Sequence, residues 1–283
     1  MNVNFRNDWK EFLEKDLTVY DLKYDSSLPL EENALRYFNA KRRIPPIKSR
    51  AIHESKELCI PPDHIADYSL LKKLISDGGD IKPYLSRDIV SRKQADENDK
   101  LLNAWGFHHL HFQPGGTKDV LFVRITDSDV YVIQATPHGR GHSEAWVNKS
   151  LLQIMRDNWP EIVGGTIVGI QADPLTTPQM VALRKQSMNF AVAVSDGTVY
   201  VTPGGGTMAS GRCSFDVRDL ARAFAELDNR QRQVEANEAS FRAALGIPPP
   251  QELTIRMIFE DEGCWLYEPT KNARISLIIQ QDA

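Results

Sequence analysis

LLNAWGFHHLHFQPGGTKDVLFVRITDSDVYVIQATPHGRGHSEAWVNKSLLQIMRDNW, residues Leu101 to Trp159, is the stretch whose periodicity decides the fold. It carries five of the chain's 7 histidines and three segments of strand character between two of helical character. Successive side chains on a strand point to opposite faces. In FHHLHF, Phe107, His109 and His111 therefore share one face, and His108, Leu110 and Phe112 the other. Gln113–Thr117 is a turn, and DVLFVRIT (119–126), mostly apolar and β-branched or aromatic, reads as a central strand. Asp127-Ser-Asp129 is a second turn, and VYVIQAT (130–136) a third strand. A short helix in the stretch Asn98 to Gly106, with an acidic start and a glycine end, precedes them. A helix over 146–158 follows, with Trp146, Leu151, Leu152, Ile154 and Met155 to bury.

Working outward, residues 8–15 and 31–40 read as helices, the second with Glu31 and Glu32 in its first turn. Ile44–Pro62 contains two proline pairs and is an extended crossing, with room for a short strand. A helix over 64–77 is stopped by Gly78-Gly79. Beyond Gly164-Gly165 come a strand, TIVGIQA (166–172), and a helix over 176–186 with Pro178 near its start. Residues 189–203 form a hairpin turning at Asp196-Gly197. After Gly204–Gly206, one long amphipathic helix over 216–245 is ended by Gly246 and the prolines beyond. Two last strands, LTIRMIFE (253–260) and RISLIIQ (274–280), flank an acidic turn and Trp265. The expected class is α+β: a helical and extended section over 1–63, a central three-stranded antiparallel domain over 64–163, and a C-terminal α+β domain over 164–283.

The chain has 283 residues, a net charge of −4 and 3 cysteines without a CxxC pair, so neither a disulfide framework nor a zinc knuckle is indicated. No apolar run approaches the roughly 18–20 residues that span a bilayer. The N-terminus lacks the apolar centre of a secretory signal, and the expectation is a cytoplasmic protein with no membrane partner. The negative charge argues against a general nucleic-acid coat. Lys41, Arg42, Arg43, Lys48 and Arg50 nevertheless cluster with no acid among them, either as a solvated loop or as a phosphate-facing strip.

Three constellations carry chemistry. His109 and His111 have the spacing of a metal-binding pair, with His138 or His142 as a third group and only Asp119 and Glu144 as nearby carboxylates. The alternatives are imidazoles satisfied by structural hydrogen bonds, or a metal-free acid/base site. Arg124 is a lone cation in an apolar strand, costly to bury unpaired. Either it reaches Asp127 or Asp129, or it joins His109 and His111 in a groove. The latter combination suits metal-free RNA cleavage, an arginine stabilising the phosphorane between a base and an acid. TPGGGTMASGR (202–212) is either a glycine turn or a backbone cradle for an anion; it lacks the GKS/T ending of a P-loop.

The order of helices followed by three antiparallel strands, with an arginine in the middle strand and a polar turn after the third, resembles the RelE/HigB family of toxins. The resemblance spans residues 68–159. It implies a metal-independent, often ribosome-dependent mRNA endonuclease with no cofactor, HHLHF as the first core strand and Arg124 as the central-strand arginine. It also implies that His138, Arg140 and Lys149 belong to the site. The family's paired lysines after the last strand are absent here, and the chain extends well beyond the small basic domain typical of the family. The expected function is thus a ribonuclease of toxin or phage-defence type with His109, His111, Arg124 and His138 catalytic. Arg140, His142, Lys149, Lys41, Arg42 and Arg43 would then hold RNA, with a ribosome or an antitoxin-like protein as partner. The alternatives are a non-catalytic regulator and a metal-dependent hydrolase.

Overall fold

The computed structural model describes residues 1–86, 99–167, 169–171, 173–260 and 263–275, the side chain of Ser143 excepted. In chain order, β1 (Asn2–Val3) leads into α1 (Phe5–Asp16) and α2 (Leu30–Arg43). Then come β2 (Ala51–Glu54), α3 (Ile65–Ser76) and α4 (Lys100–Trp105). The strands read from the histidine stretch are β3 (His108–His111), β4 (Asp119–Ile125) and β5 (Asp129–Pro137). A 3-10 turn, Ser143–Val147, precedes α5 (Ser150–Asn158). The chain continues through β6 (Thr166–Ile167), α6 (Thr177–Lys185), β7 (Ala191–Ala193) and β8 (Val199–Val201). It closes with α7 (Ser214–Ala236), α8 (Glu238–Leu245), β9 (Thr254–Glu260), β10 (Gly263–Glu268) and β11 (Ala273–Ile275). The class is α+β, as the patterning indicates.

Two compact units divide the chain. One is continuous, Phe38–Val217, and the other joins Met1–Tyr37 to Arg218–Ala283. This differs from the three consecutive sections bounded at 63/64 and 163/164, because β1 pairs in parallel with β9 (Asn2 opposite Thr254), bringing the N-terminal segment to the C-terminal one. No helix among the described residues is long and apolar enough to cross a membrane.

In the continuous unit, β3, β4 and β5 are antiparallel, and β2 adds in parallel to β5, giving the order β2-β5-β4-β3. The central strands bury both faces. On one side Phe107, Val120, Phe122, Tyr131 and Ile133 pack against Trp105, Leu151, Leu152 and Met155. On the other, Leu110, Phe112, Leu121 and Val123 pack against Tyr68 and Leu71 of α3. The alternation read from FHHLHF holds. A second sheet, β6-β8-β7, contains the hairpin that turns at Asp196-Gly197.

In the discontinuous unit the sheet order is β1-β9-β10-β11. Phe5, Leu13, Ile255 and Leu266 are buried in its core. Asp8 of α1 accepts from Arg256 Nε and from the Met257 backbone N–H, both at 2.7 Å.

Several boundaries differ from the reading of the sequence. The helix expected over 146–158 begins as a 3-10 turn and becomes α-helical only at Ser150. The helix expected over 216–245 is two, divided at Asn237. The segment taken as turn and Trp265 is strand β10. Of RISLIIQ, residues 276–280 lie outside the described residues, as do 168 and 172 of TIVGIQA.

Candidate functional site: a histidine cluster on the central sheet

The pairing of β3, β4 and β5 sets two rows across one face of the sheet. His111 lies opposite Val120, and Val120 opposite Thr136; His109 lies opposite Phe122, and Phe122 opposite Gln134. Between these rows and the next the register slips, from Phe122–Gln134 to Val123–Val132, so Ile133 has no opposite residue. Such a bulge re-aims side chains, and it lets Ile133 face the core while Gln134 still opposes Phe122. The polar end of this face carries His109, His111, Gln134 and Thr136. Its inner end is apolar.

His138, one residue past β5, joins them. Its ring centroid is 5.0 Å from that of His111 and 6.1 Å from that of His109. Trp146 closes the group, 5.0 Å from His109, 5.8 Å from His138 and 5.9 Å from Phe122, all edge-on. Three of the expected site residues thus come together, two from one strand and one from a loop.

The hydrogen bonds decide which nitrogen of each ring holds the proton. His138 Nδ1 lies 2.8 Å from the Lys118 carbonyl oxygen. A carbonyl only accepts, so Nδ1 carries hydrogen and Nε2 of the neutral ring is a lone-pair base. His111 is the reverse. The Thr117 backbone N–H donates to its Nδ1 at 2.8 Å. The Thr117 carbonyl is also within 3.2 Å of that nitrogen, but an amide N–H can only donate, and the shorter contact fixes the tautomer. His111 Nε2 therefore carries hydrogen. Thr117 is itself held in place, its hydroxyl donating to the Asp119 carbonyl at 2.6 Å and accepting from Phe112 N at 3.1 Å. The QPGGT turn thereby sets the protonation of the neighbouring imidazole.

A cleft of about 620 Å³ adjoins the cluster, lined by Thr136, Pro137, His142, Ala145, Val147, Lys149 and Met180 among others. His142 Nδ1 stands 3.5 Å from Glu144 at its rim. Thr136 Oγ1 and Gln134 Oε1 are buried and have no hydrogen-bond partner, an arrangement that costs free energy until a ligand or water meets it. Arg140 is exposed in the loop beside the cluster. Among the described residues no three His, Cys, Asp or Glu side chains are placed to hold a metal ion. The Nδ1 lone pair of His111 is also already engaged.

Arg124 sits on the face expected, opposite Tyr131, which belongs to the same core as Phe122. Its guanidinium, however, turns the other way. A Cβ on Gly106 would lie 2.7 Å from Arg124 NH1, which places the group beside the end of α4 rather than among the imidazoles. Neither expected acid reaches it: Asp127 pairs with Lys48 at 2.5 Å and Asp129 with His53 at 2.7 Å. Arg124 Nε is buried without a partner, and burial holds its pKa below the usual arginine value.

The basic strip is also corrected. Lys41, Arg42 and Arg43 form the last turn of α2, not a loop. Arg43 and Arg50 are buried. Arg42 donates to both carboxylate oxygens of Asp216, at 2.9 and 3.1 Å, and to Asn103 Oδ1 at 2.7 Å. Burial opposes its charge, and the Asp216 carboxylate more than offsets this, so its pKa rises. Arg42 thereby ties α2, α4 and α7 together within the unit, and Arg50 donates to the Thr126 and Pro46 carbonyls, so neither guanidinium is offered to a phosphate.

Trp146, Thr117, Gln134 and Thr136 were missed as site residues. A signal existed, since Gln134 and Thr136 repeat at a spacing of two in an otherwise apolar strand. The bulge made their face unreadable from the sequence alone. Compared with known protein families, with curated proteins and with solved structures, the chain matches none.

Proposed function

We propose that the chain is a metal-independent ribonuclease whose chemistry is carried by the imidazoles of His138, His111 and His109. The reading rests on one observation, the opposite backbone partners of the two Nδ1 atoms, the Lys118 carbonyl on His138 and the Thr117 N–H on His111, at a ring separation of 5.0 Å. His138 Nε2 takes the proton from a ribose 2′-hydroxyl, and the freed oxygen attacks the adjacent phosphorus. His111 Nε2–H donates to a non-bridging phosphate oxygen, where charge builds in the transition state. His109 delivers a proton to the departing 5′-oxygen, leaving a 2′,3′-cyclic phosphate on one fragment and a 5′-hydroxyl on the other. The proton gained by His138 is stabilised by the bond its Nδ1–H makes to the Lys118 carbonyl. Lys149 and Arg140 flank this path as phosphate contacts. Arg124 is left out of the chemistry. RNA cleavage of the kind the RelE/HigB resemblance implies is retained, with imidazoles in the place of that arginine.

Purified protein is incubated in EDTA with total cellular RNA and with translating ribosomes. Cleavage leaving cyclic-phosphate ends, lowered about 100-fold or more in His138→Ala, is the expected result. His138 is part-exposed, so this variant keeps the wild-type melting temperature. Intact RNA in both mixtures removes the proposal.

A further inference from the structure

The cleft beside the imidazoles has a use that acid/base chemistry leaves open. Its volume, about 620 Å³, lies in the range of roughly 300–1,000 Å³ common to small-molecule sites. Its walls divide by character. Ala145, Val147 and Met180 are buried apolar side chains, and they supply a floor. Thr136, Asn148 and Lys149 supply polar groups at its edge. One of these is oriented. Asn148 Oδ1 accepts from Ser150 N at 3.1 Å and from Ser150 Oγ at 2.8 Å, which leaves its amide NH₂ to donate. Thr136 Oγ1 is buried with no partner. A floor that is apolar and an edge that offers hydrogen-bond groups suit a flat heterocycle read along its edge.

The chain also ties the cleft to the imidazoles. Thr136 and Pro137 line it immediately before His138, and Ala145 and Val147 line it on either side of Trp146. The lining thus flanks His138 and Trp146 along the chain. We infer that this cleft is a nucleobase subsite, holding one unstacked base of a single-stranded RNA so that its 2′-hydroxyl meets His138, with Lys149 toward the phosphate. The identity of the ligand rests on the ribonuclease reading, while the binding itself is measured without cleavage.

The test is calorimetric titration of the full-length protein, in EDTA, with cytidine 3′-monophosphate, adenosine 3′-monophosphate and, separately, inorganic phosphate. Two variants leave the imidazoles intact. Thr136→Val removes the unpartnered hydroxyl at constant shape. Thr177→Glu places a carboxylate at the rim, on the exposed first turn of α6, where the helix dipole favours it and the fold is kept. At least one nucleotide is expected to bind the wild type and to lose about tenfold in affinity, roughly 1.4 kcal/mol, in each variant at unchanged melting temperature. Equal binding in all three proteins, no nucleotide binding, or phosphate binding as tightly as the nucleotide overturns the inference. RNA cleaved by a protein with any of those results keeps the ribonuclease and discards the subsite. Nucleotide binding lost in the variants, with RNA left intact, keeps the subsite and discards the ribonuclease.

Discussion

At the scale of single residues, the protein spends its histidines in different ways. His53 stacks on Tyr131 at 4.9 Å and His64 on Phe112 at 4.5 Å, each with a carboxylate beside it. Those two are part of the packing. His111 and His138 differ in having their Nδ1 atoms fixed by backbone groups, one as acceptor and one as donor. Long-range ¹⁵N spectra of the neutral rings should show His138 protonated at Nδ1 and His111 at Nε2; identical tautomers would undo the division of labour between them. His108, on the opposite strand face, is a third case. Burial pushes its pKa down to about 4; Asp99 and the bond to the Arg42 carbonyl oppose this, and the charges of Arg42 and Arg124 add to it. Its Nε2 is 3.2 Å from the Arg42 carbonyl, and its buried Nδ1 has no partner. The unfolded chain binds a proton near pH 6.5, and the folded protein only near 4. His108 therefore contributes stability that is complete above about pH 6.5 and lost as the pH falls through that window, on the order of 3 kcal/mol. His108→Gln keeps a donor for the Arg42 carbonyl and removes the titration. Denaturant melts at pH 7 and pH 4.5 should show a smaller loss in the variant; an equal loss would place the acid sensitivity elsewhere.

At the scale of elements, the glycine run at 204–206 shows how a motif can look like a phosphate cradle and be a cap. The last carbonyls of a helix have no partner within it. In α4 they are met by this loop, with Gly204 N donating to Ala104 O at 3.1 Å and Gly206 N to Asn103 O at 2.6 Å. The approach is close enough that a Cβ on Gly204 would lie 2.0 Å from Leu102 O and 2.5 Å from Gly106 N. Both are backbone atoms and neither can swing aside. Gly204→Ala should cost about 3 kcal/mol, whereas Gly164→Ala, where a Cβ meets nothing within 4 Å, should stay within about 0.5 kcal/mol. Comparable melting temperatures for the two would refute the cap. The loop is held to the start of α7 as well, since the Ser214 hydroxyl donates to the Gly205 carbonyl at 2.5 Å. The elements legible in the sequence were those with local signals. Alternation gave β3 and its faces, Asp-Gly gave the β7–β8 hairpin, and Asp99 with Gly106 bounded α4. What could not be read depends on partners far along the chain. β10 is identified by its pairing with β9, the bulge at Ile133 by the register against β4, and the direction of Arg124 by the loop and helix end that Gly106 belongs to. The histidine cluster was half legible for the same reason: two members share a strand, but the third and the tryptophan arrive from loops.

At the scale of the molecule, the consequential fact is that one of the two units is made from both ends of the chain. Its sheet begins with a parallel pair in which Asn2 opposes Thr254 and Val3 opposes Ile255. Behind this pair α1 lays Phe5, Trp9 and Leu13 into the core, with Phe5 and Leu13 at 0% exposure. Phe12 meets Phe259 at 5.2 Å and Trp9 meets Phe224 edge-on at 5.5 Å. The polar contacts repeat the pattern, as Arg256 donates to both Asp8 and Glu11 of α1. The two ends share one core: α1 packs on the strand residue Phe259 and on Phe224 of α7. Removing the ring of Phe5 leaves a cavity under this joint and should cost about 3–5 kcal/mol. The more telling readout is where protection is lost. In Phe5→Ala, amide hydrogen exchange should accelerate together in α1 and in residues 254–260 and 263–268, although these segments lie more than 200 positions apart in sequence, because they open as one cooperative group. If α1 exchanges freely while β9 and β10 keep their wild-type protection, the two ends fold independently, and the parallel pair at Asn2 is an appendage rather than the joint of the unit.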